Sequence, residues 1–573
     1  MDTMTGSQAH AIGYVVGGGL EANLQVRLTV PPQEVQEGSF VVIDSGGWRF
    51  YGLVTDLQLG STNPRFADEQ SEERLPRQMA ELLHGQTLFT NLAVMPVLMM
   101  ERGPEPGTEE YRLWKDQHPE ESKPIPVKTV PSHHSPVMLA DAADIAQIFG
   151  EENNQEMFCI GYTREQGHPV CLNLDKFVKR SSGIFGTTGS GKSFLARMIL
   201  AGLIHADRAS ALIFDMHNEY GPDSSSSDTG QAVPGLKGKF GAKIRLAGLG
   251  ARTSFGKLNA DLSLEIAQSD ITSEDVLLLS QALNLNETAA TVLAALEREF
   301  GKEWFREFLS METGTTEQDE TGKSMPAPNS VEAWAAGSNV HPKSALALHQ
   351  KLGRLRGRPY LIADPATKGL DDIIENLENG RHVILSFGKY NTELDYLLVT
   401  NLITRKIRDH WEEKTEKFHS ENSVEPRPLV VVVEEAHKLL NREMASQTIF
   451  STIAREMRKY YVTLLIIDQR PSQIYDEVMS QLGTRISGSL GDEDDINAVL
   501  SGLPGRGALR GMLSKLQAKE EALLLGWGVP MPIPIRSRRY DNAFWQELFH
   551  EERSPETFAG AYNALGFGGD DPD

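Results

Sequence analysis

Residues 186–193 read Gly-Thr-Thr-Gly-Ser-Gly-Lys-Ser, and this run constrains the fold more than any other stretch of the chain. It fills the pattern G-x-x-x-x-G-K-S/T without a gap, in which glycines let successive backbone N–H groups curl around phosphate oxygens. Gly183–Phe185 before it is a short apolar strand, and Ser193–His205 after it has the spacing of an amphipathic helix. That order aims the positive end of a helix at the same anion. Gly186, Thr188, Gly189, Ser190, Gly191, Lys192, Ser193 and Phe194 are therefore the candidate nucleotide-binding residues. Lys192 would bridge the β- and γ-phosphates of ATP, and the Ser193 hydroxyl would ligate Mg2+.

A phosphate loop of this kind needs a parallel sheet, and the sequence supplies one. Ala211–Asp215, His382–Phe387, Leu429–Val433 and Val462–Asp468 are compact apolar runs, suited to strands buried on both faces. Helical stretches at about 392–413 and 441–460 separate the later ones. The alternation predicts an α/β fold with helices on both faces of the sheet.

Other regions differ in texture, as 573 residues would lead one to expect. Residues 1–140 hold short β-branched runs at 11–16, 24–30, 38–45 and 48–55, cut by turn-forming clusters, which predicts a small barrel or sandwich. Further strands are expected within 86–100 and 123–130, with an exposed Pro-rich loop at 101–121 between them. Residues 261–360 read as a helical insertion, with helices over 265–310 and 331–358 joined by a polar, disordered 312–330. The sheet domain thus divides into 141–260 and 361–545, followed by a segment 546–573 with an acidic tail. A second loop, 221–230, carries four consecutive serines.

Hydrolysis needs more than a cradle. Val430–Val433 delivers Glu434 and Glu435 at the carboxyl end of an apolar strand, the edge where open α/β sheets bind ligands. Neighbouring strand residues point to opposite sides. Glu434 is accordingly placed on the metal side and Glu435 as the base for the attacking water. Gln469, just past the strand 462–468, is the group to sense the γ-phosphate or orient that water.

Several classes of function are disfavoured. Cys159 and Cys171 are the only cysteines, too few for a disulfide framework or a four-cysteine zinc site, and a reducing, cytoplasmic home is expected. His133–His134 has no cysteine or carboxylate at ligand spacing. No apolar run approaches the roughly 18 residues of a membrane span, and no signal peptide is expected. No nuclease motif stands out, so the chain is not expected to cut nucleic acid by itself. The net charge of −23 argues against a whole-surface nucleic-acid binder but allows a local basic channel.

Taken together, the phosphate loop, IFDMHNEYG at 213–221, VVVEEAHKLL at 431–440, IAREMRKYYVTLLIIDQRPSQI at 453–474 and TRISGSLGDEDD at 484–495 resemble HerA-type ATPases, of the HerA/FtsK branch of RecA-like motors. The resemblance implies a RecA-like P-loop core with an N-terminal small β-barrel and a helical insertion. It further implies a homohexamer that hydrolyses ATP and moves along double-stranded DNA in a central pore, without a membrane anchor. Such motors work with a partner nuclease, typically NurA-like, in DNA-end processing, or with defence effectors against phage. An alternative is an ATP-controlled scaffold ring that recruits an effector without processive transport. A neighbouring subunit would supply an arginine finger, and Arg458 is favoured with Arg455 second. Where the family commonly has Asp-Glu, this chain has Glu434-Glu435. Asp215, His217 and Glu219 resemble the polar turn after the family's second strand, near the nucleotide edge or pore, or structural.

Overall fold

The computed structural model of the chain describes residues 11–62 and 88–550, with short interruptions at 21, 105–107, 120, 152–153, 155, 226–229, 231, 251–253, 256–257, 319–323, 366–368, 391 and 445–448. The acidic tail lies outside the described residues.

Alternation of side chains builds the first unit. Strands β1 (Gly13–Gly17), β2 (Leu24–Leu28), β3 (Phe40–Ser45), β4 (Trp48–Ser61), β5 (Leu88–Glu101), β6 (Ile125–Pro126) and β7 (Pro136–Leu139) follow one another in the chain. They pair in the order β2-β1-β7-β3-β4-β5, and β5 pairs again with β2, which closes a six-stranded antiparallel barrel with β6 on its flank. Along β3, Val41 and Ile43 face the barrel interior, while Phe40 and Val42 belong to the core shared with the rest of the molecule. Phe40 lies against Tyr51 and Phe149, with ring centroids 5.9 Å apart in each pair. The barrel is thereby welded to the helix Ala142–Phe149.

The second unit is a twelve-stranded sheet. Its strands are β8 (Met157–Thr163), β9 (Pro169–Asn173), β10 (Ser182–Phe185), β11 (Ser210–Asp215), β12 (Ile244–Leu249), β13 (Leu262–Leu264), β14 (His382–Ser386), β15 (Leu429–Glu434), β16 (Val462–Asp468), β17 (Thr484–Ser487), β18 (Glu521–Gly526) and β19 (Ile533–Ser537). The spatial order is β13-β12-β14-β11-β15-β16-β10-β17-β18-β19-β8-β9. From β13 to β17 every pairing is parallel; the remaining strands pair antiparallel. Every residue of β10, β11, β15 and β16 is buried, as expected when helices cover both faces. Register aligns Phe185 with Asp468 and Glu434 with Ile467. The ends of β10, β16 and β15 therefore meet along one edge, with β16 in the middle.

Several local expectations change. Within 101–121, the helix Glu109–Gln117 forms because Thr108 accepts a hydrogen bond from the Tyr111 N–H, acidic residues occupy its first turn, and Tyr111 is buried. Only Ile125–Pro126 of 123–130 is strand. The stretch 265–310 is broken: Ile266–Ala267 pairs in parallel with Leu361–Ile362, and helices occupy Ser273–Leu278, Ala289–Phe300 and Trp304–Ser310. A capping box at Thr272 and Asp275 starts the first of these. In 312–330, Thr316–Gln318 pairs antiparallel with Ser324–Pro326, so the polar stretch holds a ladder rather than disorder at those residues. Ser224–Ser225 likewise pairs with Ala232–Val233. The helix expected at 392–413 runs further, Glu393–Glu421, and 441–460 holds the helix Ile449–Glu456 and a tight turn of helix, Met457–Tyr460.

Candidate nucleotide-binding and hydrolysis site

Gly186 follows β10 directly and opens the phosphate loop. The loop is tied down by Thr187, whose N–H donates to the Ser489 carbonyl at 3.1 Å, and by Ser190, whose carbonyl accepts from the Lys519 N–H at 3.0 Å. Gly189 and Gly191 sit at φ +78° and +89°, a region that side chains with a Cβ resist. The helix Lys192–Ala206 starts at Gly191 without a side-chain cap, which leaves its first N–H groups for an anion. Lys192 and Ser193 are its first residues, and Phe194 is exposed beside them. A cavity of about 720 Å³ opens from Ser190–Lys192 between Phe194, Tyr540 and Arg539, large enough for a sugar and base.

The twin carboxylates face different surroundings. Glu434 is buried, and its Oε1 accepts the Tyr220 hydroxyl at 2.7 Å. The Tyr396 hydroxyl donates to its carbonyl at 3.0 Å. Burial, with Asp215 and Glu219 nearby, pushes the Glu434 carboxyl up to about 8, against the pull of Tyr220 and Lys192. Its Oε2 is buried with no hydrogen-bond partner among the described residues. That unpartnered oxygen is free to take a cation in place of a proton, so Mg2+ fits the residues present, and Glu434 and Ser193 would hold it. Glu435 is half-buried and held at φ +48°, a strained value for a residue with a side chain.

Gln469 joins the two halves. The Thr188 hydroxyl donates to its Oε1 at 2.8 Å, and its Nε2 donates to Glu435 Oε2 at 3.3 Å. One amide thus spans from the phosphate loop to the candidate base. This follows from the sheet order, because β16 lies between β10 and β15.

Asp215 is fully buried and accepts the N–H groups of Glu219 at 2.8 Å and Tyr220 at 3.0 Å. Burial raises its carboxyl above the usual range despite those bonds. Its place is structural: it folds the turn that delivers Tyr220 to Glu434. His217 is exposed on that turn. Tyr220, Tyr396, His437 and Asp468 complete the site without having been singled out from sequence. An apolar run ending on a polar residue marks Asp468, and the other three carry no local signal.

The structure does not bring Arg455 or Arg458 to this chain's own phosphate loop. Both precede β16, whose seven residues separate them from Gln469 by about 20 Å. Arg455 lies 3.6 Å from Glu477. Arg458 lines a cavity of about 580 Å³ with Arg180, Arg208, Tyr461 and Trp527 at the opposite edge of the sheet.

The family model for the central domain of helicase HerA matches residues 158–407. The DNA double-strand break repair helicase HerA of Saccharolobus solfataricus is 23% identical over 570 residues, covering 96% of this chain and 98% of that protein. The protein of the same name from Sulfolobus acidocaldarius is 23% identical over 535 residues, covering 92% and 93%. Residues 158–407 match a HerA-type ATPase domain. Among solved structures, VirB4 of Thermoanaerobacter pseudethanolicus matches at 16% identity and a TM-score of 0.43, over 69% of this chain and 99% of that one. The bacterial conjugative coupling protein TrwB matches at 13% identity and a TM-score of 0.45, over 70% and 92%. With a central domain matched to that family and an intact phosphate loop, the chain hydrolyses ATP. Among the described residues no helix is long and apolar enough to cross a membrane.

Proposed function

We propose that the chain is an ATP-driven motor that moves along double-stranded DNA as a homohexameric ring. It would serve DNA-end processing or anti-phage defence with a partner nuclease of the NurA kind or another effector. Relatives named as double-strand break repair helicases, alignable over nearly the whole chain, support the DNA substrate. The observation that carries the ring is the position of the arginines. Arg458, with Arg455 as second choice, stands at one edge of the sheet and the phosphate loop at the other. Arg458 can then act as the finger only from a neighbouring copy, since this chain's own cavity holds Lys192 and Arg539 instead, and head-to-tail contacts of that kind close into a ring when their rotation closes.

In this reading the N–H groups of 187–193 hold the phosphates and Lys192 neutralises the β- and γ-oxygens. Glu435 accepts the proton of the attacking water while Gln469 fixes that carboxylate against Thr188. Mg2+, held by Ser193 and Glu434, would supply charge neutralisation at the phosphates.

The test combines native mass measurement with ATPase assays, with and without linear duplex, on the wild type and Lys192→Ala. A hexamer whose turnover rises with duplex and vanishes in Lys192→Ala is expected. A monomer indifferent to DNA would overturn the motor. A partner effector still fully activated by Lys192→Ala would indicate the scaffold ring instead.

A further inference from the structure

Two turns carry the groups placed on the attacking water, and both are anchored to a single carboxylate. Asp468, the last residue of β16, is fully buried. Its Oδ2 accepts the backbone N–H of His437 at 2.7 Å and the His437 Nδ1–H at 2.9 Å. Its Oδ1 accepts the Arg470 N–H at 2.6 Å. His437 lies two residues past Glu435, and Arg470 directly follows Gln469. His437 Nδ1 is also 3.6 Å from Glu435 Oε2. The ring therefore stands between the buried anchor and the candidate base.

We propose that Asp468 and His437 form a positioning pair that fixes Glu435 and Gln469 relative to the γ-phosphate. The inference rests on the reading of Glu435 and Gln469 as hydrolytic groups. Two features explain why such a pair is needed. Glu435 sits at φ +48°, a conformation that persists only where its surroundings over-determine it, and the His437 N–H bound to Asp468 does so. The Gln469 amide can span from Thr188 to Glu435 only if its own turn keeps its angle, and the Arg470 N–H bound to Asp468 sets that angle. Burial pushes the Asp468 carboxyl up, but the His437 ring and the N–H groups of Arg470 and His437 outweigh it and hold the carboxyl below its usual range. The anchor is thus an anion that accepts from both turns at once. Neither residue needs to touch the nucleotide.

The pair can be perturbed without dismantling the fold. The same two segments are also stitched by a bridge between Asn441 and Ile474 and by the Tyr475 N–H on the Leu440 carbonyl at 2.8 Å. His437→Ala removes the ring donor alone. His437→Asn restores an N–H donor close to the position of Nδ1. On the full-length protein, His437→Ala should lower the basal ATPase kcat about 30-fold, with KM and the affinity for a non-hydrolysable ATP analogue within about twofold of wild type. His437→Asn should recover to within about threefold of wild type. In a Gln469→Ala background, His437→Ala should cost little more, because both act on one arrangement.

Turnover of His437→Ala within twofold of wild type would overturn the pair. So would kcat and nucleotide affinity falling in step, an asparagine no better than alanine, or full additivity with Gln469→Ala. Glu435→Gln in the same series separates the two readings. If it keeps near-normal turnover, the base assignment falls and takes the pair with it. If it is inactive while His437→Ala is normal, only the pair falls.

Discussion

The two edges of the parallel sheet are chemically opposite. At the carboxyl ends of β10, β11, β15 and β16 stand Asp215, Glu434, Glu435 and Asp468, wired through Tyr220, His437 and Gln469. At the amino ends, Lys179, Arg180, Arg208 and Arg458 gather around Trp527, with Asp175 and Glu425 the acids among them. The Arg180 guanidinium lies 4.2 Å from the Trp527 ring centroid. Hydrogen bonds hold the first edge in one arrangement, whereas the second presents cations to an open cleft. A head-to-tail assembly pairs two different surface patches, and these two edges differ in charge. Self-association should therefore bring the basic edge of one copy to the nucleotide edge of the next.

The sharpest way to break that comparison is to damage one edge at a time. Glu435→Gln should bind ATP but turn over about a thousandfold more slowly than wild type, and Arg458→Ala about a hundredfold more slowly. Mixed in equal amounts under subunit exchange, the two inactive proteins should regain a measurable fraction of wild-type ATPase. Each assembly then contains interfaces pairing an intact Glu435 with an intact Arg458. No recovery, with exchange verified by mass, would remove the neighbour's Arg458 from the site.

Duplex binding should show the next largest effect. The chain carries 56 basic against 79 acidic residues, so DNA contacts must be local and few enough to escape the overall charge. DNA stimulation of ATPase should fall at least about tenfold between 50 and 200 mM salt, as phosphate contacts lose their counterion-release advantage. Basal turnover, dependent on the enclosed edge, should change far less. Stimulation indifferent to salt would remove the charged pore.

Within the nucleotide edge, Tyr220 tests how finely the site is set. It donates to one Glu434 oxygen and leaves the other without a partner. Tyr220→Phe should raise the Mg2+ concentration needed for half-maximal ATPase about tenfold, with kcat at saturating Mg2+ little altered. An unchanged Mg2+ requirement would show that Glu434 needs no second group to orient it.

What could be read from sequence at these edges follows from the range of each signal. The phosphate loop is contiguous, and Glu434, Glu435 and Gln469 each end or follow an apolar run, so a local pattern reveals them. Tyr220 reaches Glu434 across 214 positions and His437 reaches Asp468 across 31, and only the strand order makes those pairs neighbours. The helix 109–117 was hidden because its polar surface masks the single buried tyrosine that anchors it. The stretch 265–310 has helical spacing throughout, yet pairing of Ile266–Ala267 with Leu361–Ile362 draws its start into strand. The arginines were visible as residues, but their distance from the phosphate loop needed the register of β16 against β10.

The amino-terminal edge carries a further consequence, smaller and opposite in character to anything at the nucleotide edge. His382 opens β14, is 1% exposed, and accepts the Ala211 N–H on Nδ1 at 3.2 Å. Burial lowers its pKa to about 4, and the nearby Arg427 and Lys243 charges add to the effect against Asp207. The folded state therefore binds fewer protons than the unfolded chain between about pH 4 and the ordinary histidine value near 6.5. Its stabilising contribution is complete above 6.5 and is lost as pH falls toward 4, amounting to about 3 kcal/mol at most. His382→Asn keeps an acceptor for the Ala211 N–H and cannot take up a proton in that range. Melting temperatures between pH 7.5 and 5 should fall more steeply for wild type than for this variant. Parallel slopes would mean that the buried imidazole is protonated at little cost, and that this edge is wetter than its packing implies.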